Sequence, residues 1–351
     1  MGIHEMKALR KLEPGPGQVA VVEVPDPDPG RGQVRIRVMR GGVCGTDLHI
    51  YHGLFSKVRP PVTLGHELAG TIDALGPGVD HWNVGDRVTA ESEAFSCGQC
   101  RWCRAAMTNL CPERLALGYG VDGGFATFVC TRASALHRLP ETIGFDEGAL
   151  SEPLTVAVHA VEERAELKTG AWVLVTGPGP VGLLVLQVAR TAGGRVIVSG
   201  TRKDTDRLVL AERLGAEAVI RVDARDPLER ILEITGGRGI DTAFECSGVG
   251  AAAHNCLEAV HRRGEIVQVG LYGRPVSLEM DTVAMKELQI KGAFTHTHTT
   301  WRRAMDLLAS GGVDLRPLVS GTYPLNAWET AFGQAEAGVG IKYLIDPQDA
   351  G

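Results

Sequence analysis

At 351 residues the chain is long for a single hydrophobic core and reads as two domains. Its hydrophobic content of 44%, charged content of 22% and net charge of −6 are those of an ordinary globular protein. The acidic balance excludes a basic nucleic-acid surface, and no apolar run is long enough to make a membrane partner.

The opening "MGIHEMKALRKLEPG" lacks the apolar core of a secretory leader. Met6 stands where a myristoylation signal beginning Met-Gly takes Ser or Thr. A cytoplasmic location is therefore expected, with the eight cysteines as thiols or metal ligands rather than disulfides. To about residue 155 the chain is rich in Gly, Pro and short Val-rich runs: "QVAVVEVPDPDPG", "QVRIRVMRGGVCG", "LAGTIDALGPG", "GDRVTAESEA". Short apolar runs between turn residues predict strands of an antiparallel β domain. From about 156 to 292 strands alternate with helices: "AWVLVTG", "PVGLLVLQVARTAGG", "RVIVSG", "DTDRLVLAERLGA", "AVIRVD", "DTAFECSG", "GEIVQVGLYG". That alternation predicts an α/β unit with a doubly wound parallel sheet. The remainder is mixed, with amphipathic helices in "TTWRRAMDLLASGG" and "NAWETAFGQAEAG".

Three constellations carry chemistry. In "CGQCRWCRAAMTNLC" the residues Cys97, Cys100, Cys103 and Cys111 have the spacing of four thiolates around one ion. Such a shell leaves no open position, so it predicts a structural zinc, with an iron–sulfur cluster as the alternative. In "VLVTGPGPVG" the residues Gly177, Gly179 and Gly182 stand in G-x-G-x-x-G spacing between a strand and a helix. The first glycine permits the tight turn, the second lets backbone approach a pyrophosphate and the third lets the helix pack on the strand. Pro180 and Val181 complete that loop, and the helix start presents free amides to phosphate. Ser247-Gly248 and Val269-Gly270 end later strands, where they line the nicotinamide side or serve as plain turns. The third constellation is spread over "GVCGTDLHIY", "LGHELAG" and "SEPLTVAVHA". Cys44, His66 and either Glu67 or Glu152 offer a thiolate, imidazole and carboxylate shell with one open position, the pattern of a catalytic zinc. Read singly, Cys44 fits a small core residue, His66 a core histidine and Glu152 a helix cap.

In their order, these motifs with "VGDRV" and "DGGFATF" resemble the zinc-dependent medium-chain dehydrogenases over nearly the whole chain, and within them the polyol (sorbitol-type) and threonine dehydrogenase branch. The resemblance implies a GroES-like catalytic domain from 1–155 and 293–351, with the zinc lobe at about 95–112, and a Rossmann domain from 156–292. It implies a catalytic zinc on Cys44, His66 and a carboxylate, with Glu152 binding the metal directly or through water and Glu67 able to enter the shell. Asp47 would orient His66 from behind. Thr46 and His49 match the proton relay, which runs from the substrate hydroxyl through Thr46 and the cofactor ribose to His49 and water. It further implies a homodimer or homotetramer acting on a small-molecule alcohol. A non-catalytic nucleotide-binding relative would be expected to have lost these ligands and relay residues.

Cofactor and substrate are read from thinner signals. Gly200 falls where NAD-linked relatives place an acid on the ribose, and Thr201, Arg202 and Lys203 follow it. Without the acid, and with two cations beside it, NADP is favoured; Asp204 and Asp206 leave NAD open. "CGTDLHIYHG" resembles threonine dehydrogenases, whereas "EPLTVAVHA" and "VDLRPLVSGTYPL" resemble polyol enzymes. Sorbitol-type enzymes carry an Arg soon after the position of Phe294, where this chain has Thr295. A secondary alcohol of a polyol or sugar-like compound is the expected substrate, with an amino alcohol or diol as the alternative. Tyr51 and Phe55 are expected pocket walls, and His296 and His298 of "HTHTT" read as exposed loop histidines.

Overall fold

In Gln33–Gly42 every second residue is apolar through the first half, and Val34, Ile36 and Val38 are fully buried. Arg35 and Arg37 turn to the other face and pair with Asp73 at 2.7 and 3.1 Å. A period of two with one face buried is what an antiparallel sheet needs. The computed structural model describes residues 4–349, so the opening Met-Gly lies outside it. The chain divides into two units. The first holds the chain up to Glu152, Thr297–Ala309 and the segment from Leu315 onward; the second holds Pro153–His296 and Ser310–Asp314.

In the first unit the main sheet runs in the order Leu136–Arg138, Arg87–Ala90, Glu67–Leu75, Gln33–Gly42, Lys342–Asp346, Val319–Pro324, with Phe128–Arg132 also paired to Gln33–Gly42. All pairs are antiparallel except the last two strands on the path, which run parallel. Gly42 stands opposite Glu67 on one side and Leu344 on the other, so strands separated by most of the chain end side by side.

The second unit is the expected parallel sheet. Its six strands run Ala218–Arg221, Arg195–Gly200, Trp172–Thr176, Ile240–Glu245, Val260–Gln268, Gln289–Gly292, each paired parallel to its neighbour. This is the 3-2-1-4-5-6 order of a doubly wound dinucleotide fold. Trp172–Thr176 is apolar at four of five positions and buried throughout, as a central parallel strand must be. The helix Pro180–Thr191 that comes next buries Leu183, Leu184, Val185, Leu186 and Val188, each worth about 1.5–3 kcal/mol relative to exposure. Among the described residues no helix is long and apolar enough to cross a membrane.

Candidate active site and metal centres

The end of Gln33–Gly42 runs into a short helix, Gly45–Tyr51, with Cys44 as its N-cap residue. The opposing strand begins at Glu67, so the Gly42–Glu67 register sets Cys44 beside His66 and Glu67. Donor atoms of these three residues lie within 4.8 Å of one another. Gly42 is required here for space: a Cβ on it would stand 2.1 Å from Glu67 Oε2. His66 and Glu67 are buried and Cys44 is half-buried. Glu152, from the start of the helix Ser151–Val158, is buried outside that triad and accepts a hydrogen bond from Ser92 Oγ at 3.3 Å.

The electrostatics of this cluster favour a cation. Burial alone would lower the His66 pKa, but Cys44, Asp47 and Glu152 outweigh it and hold the imidazole well above its ordinary value. Burial first, and then Glu67, push the Glu152 carboxyl up. The thiol of Cys44, the imidazole of His66 and the carboxylate of Glu67, gathered out of water with Glu152 adding negative charge, fit a zinc ion with one position to spare.

Two features of the cluster go beyond the sequence motifs. Lys342, from the strand Lys342–Asp346 that pairs beside Gln33–Gly42, donates to Glu67 Oε1 at 2.7 Å and to Val43 O at 2.9 Å from a buried position. Burial would lower its pKa, but Glu67 and Cys44 hold it raised. The only sequence signal is a lysine inside the apolar strand "KYLID". Asp47 also departs from expectation. It lies 4.0 Å from His66 Nδ1, beyond hydrogen-bonding distance, and that nitrogen has no hydrogen-bond partner among the described residues. The reason is local: Asp47 is the third residue of its helix, so its carboxylate caps Cys44 N at 2.9 Å and also takes Gly65 N at 3.4 Å.

Thr46 Oγ1 stands 3.8 Å from Cys44 Sγ, and His49 is exposed one turn further along the same helix. Tyr51 packs edge-on against Trp328 and Phe332, and Phe55 against Tyr119, which in turn stands 6.5 Å from His66. His298 is exposed at the start of a helix, whereas His296 is buried, contrary to the reading of both as exposed loop residues.

The four clustered cysteines converge within 4.8 Å between the paired strands Glu93–Phe95 and Leu115–Ala116. Sγ of Cys103 lies 3.5 Å from that of Cys100 and 3.9 Å from that of Cys97. Tetrahedral zinc with Zn–S near ~2.3 Å requires S–S distances of about 3.8 Å. Backbone amides of Cys97, Cys100 and Cys103 each point at a sulfur at 3.4 Å. The Cys103 amide above all brings the Cys100 thiol down to about 7. Burial, with the hydrogen bond to Cys100 next, pushes the Cys103 thiol up to about 12, so the four sulfurs share protons unevenly, and their convergence fits a closed zinc site. Replacing Cys97 with serine is expected to remove one zinc equivalent per chain and lower the melting temperature; metal analysis showing no loss contradicts the assignment.

In the second unit, Gly177 has φ of +85°, and a Cβ there would stand 2.7 Å from Ser247 Cβ, so only glycine fits the turn. Gly179 caps the following helix with Pro180 at its first position, leaving the amides at the helix start free for phosphate. Val181 belongs to that first turn, and Gly182 packs against Gly177 O. Ser247 and Val269 sit at neighbouring strand ends around Glu245, a fully buried acid that no sequence motif marks. Its side chain accepts from Ser247 N and Oγ, Gly248 N and Gln268 Nε2, while its carbonyl accepts from Val269 N.

Gly200 ends its strand hard against Pro178 and Asp204; a Cβ would come within 3.0–3.1 Å of both. An acid at that position would need the loop to move. Asp204 does not take the acid's place: its carboxylate accepts from Thr201 N and Oγ1 at 2.9 Å, with Arg207 3.7 Å away. Asp206 is exposed in the following helix. The side chains of Arg202 and Lys203 are exposed and form no ion pair among the described residues.

Residues 30–141 match the alcohol dehydrogenase GroES-like domain family, and residues 180–310 match the zinc-binding dehydrogenase family. The chain is 40% identical to a sorbitol dehydrogenase of Halalkalibacterium halodurans over 98% of this chain and 100% of the relative. It is 34% identical to a D-arabitol-phosphate dehydrogenase of Enterococcus avium over 97% of each. A zinc-binding dehydrogenase structure from Sinorhizobium meliloti 1021, bound to NADP, superposes with a TM-score of 0.91 at 33% identity, covering 98% of this chain and 100% of that one. With both domain families matched and full-length relatives at 34–40% identity, the chain belongs to the zinc-binding medium-chain alcohol dehydrogenases, in the branch of the polyol and threonine dehydrogenases.

Proposed function

We propose that this oxidoreductase converts a secondary hydroxyl of a polyol or sugar-like substrate to a ketone, with NADP as the preferred hydride acceptor and two zinc ions per chain. The observation that carries the reading is the convergence of Cys44, His66 and Glu67 within 4.8 Å, with Glu152 buried close by. Zinc bound there would supply Lewis acidity toward an alcohol oxygen, with a bound nicotinamide as the hydride acceptor. Cys44, His66 and Glu67 would hold the ion, and Lys342 keeps the Glu67 carboxylate oriented. Glu152, held by Ser92, would add negative charge to the site and reach the ion directly or through water. Thr46 Oγ1 would take the proton of the substrate hydroxyl while passing its own on through the cofactor ribose to exposed His49, which hands it to water, since imidazole is the side chain that exchanges protons near neutral pH. Cys97, Cys100, Cys103 and Cys111 hold the second ion in a closed, purely structural shell. The polyol substrates named for two relatives support the substrate class. Gln289–Gly292, paired on one side only, offers a sheet edge through which two chains would associate.

NADP is supported by Gly200, which removes the repelling acid, and by the uncommitted charges of Arg202 and Lys203. The loop Gly177–Gly182 with Ser247 and Val269 binds the rest of the dinucleotide. The test is a panel of polyols, phosphorylated polyols, diols and amino alcohols, each offered with NADP and with NAD, followed by absorbance of the reduced nicotinamide. Turnover confined to amino alcohols, or absent on every compound, overturns the proposal. Arg202→Ala is expected to lower the NADP-to-NAD preference about tenfold, the scale of one exposed charge-assisted hydrogen bond. An unchanged preference removes the case for a phosphate site at this loop.

A further inference from the structure

We propose that Glu91, His137 and His298 form a third metal site, at the surface of the first unit, that takes a divalent ion of the zinc class. None of the three belongs to the catalytic cluster or to the cysteine lobe. They come from three separate places in the chain. Glu91 directly follows the strand Arg87–Ala90, His137 lies in its partner strand Leu136–Arg138, and His298 opens the helix His298–Ala309. His137 pairs with Thr89, two residues before Glu91, so alternation puts the Glu91 and His137 side chains on one face of the sheet.

The donor atoms already converge. Glu91 Oε1 lies 3.1 Å from His137 Nε2 and 2.6 Å from His298 Nδ1, and the three donors are mutually within 4.8 Å. Ligand atoms around a tetrahedral ion at ~2.0–2.1 Å are separated by about 3.4 Å, so small movements accommodate one. Two of the ligands are held in place beforehand. Glu91 and His137 are more than nine-tenths buried, and the His137 ring stacks on buried Trp301, 4.9 Å away and only 5° from parallel. Trp301 is one turn along the helix from His298, so the same helix clamps one ligand and supplies the next. The His298 side chain is 62% exposed, which leaves the remaining coordination position to water or a small ligand.

Two imidazoles and one carboxylate with an open side suit zinc, nickel or cobalt better than magnesium or calcium, which prefer all-oxygen shells. In binding, each ring would offer the nitrogen that now faces Glu91 and carry its proton on the other. The single carboxylate leaves the bound centre with a net positive charge. Thr299, Arg302, Arg303 and Asp306 line the surface depression that His137 also borders.

The test uses the enzyme with its two zinc ions in place. Wild type and His298→Ala are titrated with zinc chloride by calorimetry in a non-chelating buffer, and with cobalt by visible absorbance. The expected result is one additional binding event per chain for wild type, with ligand-field bands on cobalt addition, both lost in His298→Ala. No additional event in wild type, or equal binding by His298→Ala, overturns the proposal and leaves the cluster as a hydrogen-bonded His–Glu–His bridge.

Discussion

Replacing Cys44 with serine is expected to lower turnover at least about 1,000-fold while NADP binding is kept. A serine hydroxyl stays neutral at working pH and is a poor ligand for a borderline-soft ion, so the shell of Cys44, His66 and Glu67 loses its thiolate. Lewis-acid activation is worth several kcal/mol of transition-state stabilisation, and each ~1.4 kcal/mol is tenfold in rate. Metal analysis should fall from two zinc equivalents to one. Fluorescence titration with NADP should be unaffected, because the glycine loop belongs to a unit with its own sheet and core. The contrast with Cys97→Ser is informative: both lose one zinc, but only the Cys44 variant loses chemistry outright while keeping its melting temperature close to wild type. A zinc-depleted Cys44→Ser protein with normal turnover would falsify the mechanism.

Lys342→Met should produce the largest loss of stability of any single change near the site. Lys342 is 4% exposed and Glu67 1%, and their hydrogen bond is 2.7 Å long. Removing one partner of such a pair strands a buried charge, which costs about 3–5 kcal/mol. At about 2–4 °C per kcal/mol for domains of this size, the melting temperature should drop by about 6–20 °C. The loss should be larger after chelation, because a metal ion is the other positive partner available to Glu67. The double variant Lys342→Met, Glu67→Gln should regain most of the stability but not the activity, since the amide repairs the burial without restoring a carboxylate ligand. Thermal melts with and without chelator decide this, and a single variant that melts like wild type shows that the ion pair does not hold this corner of the fold.

Much of the molecule is legible from residue types and spacing. The alternation in "QVRIRV" and the strand–glycine loop–helix order in "AWVLVTGPGPVG" each follow from a local rule, and both appear as antiparallel and parallel sheet respectively. The four-cysteine lobe is legible for the same reason, since its ligands lie within fifteen residues of one another and a short loop brings them together. Local rules also explain the departures. The family resemblance makes Asp47 a partner of His66, but its place as third residue of a helix commits it to the cap. Thr201 and Asp204 likewise satisfy each other in the turn after Gly200, which leaves Arg202 and Lys203 as the groups with charge to offer.

By itself, then, the sequence determined the two fold types, the glycine loop and the kinds of donor atom available to a metal. It left open which acid joins Cys44 and His66, and it did not disclose Lys342 or the meeting of Glu91, His137 and His298. Those were decided by tertiary structure. Glu67 stands beside Cys44 and His66 because Gly42 pairs with it, and Lys342 reaches it across 275 residues of chain because the strand Lys342–Asp346 pairs with the other side of Gly42. His298 meets Glu91 only because a helix from the far end of the sequence packs on the sheet's outer strand. Local spacing specifies what a turn of helix or a loop can hold. Which distant segments become neighbours depends on strand register and the burial of whole faces, and no short stretch of sequence carries that information.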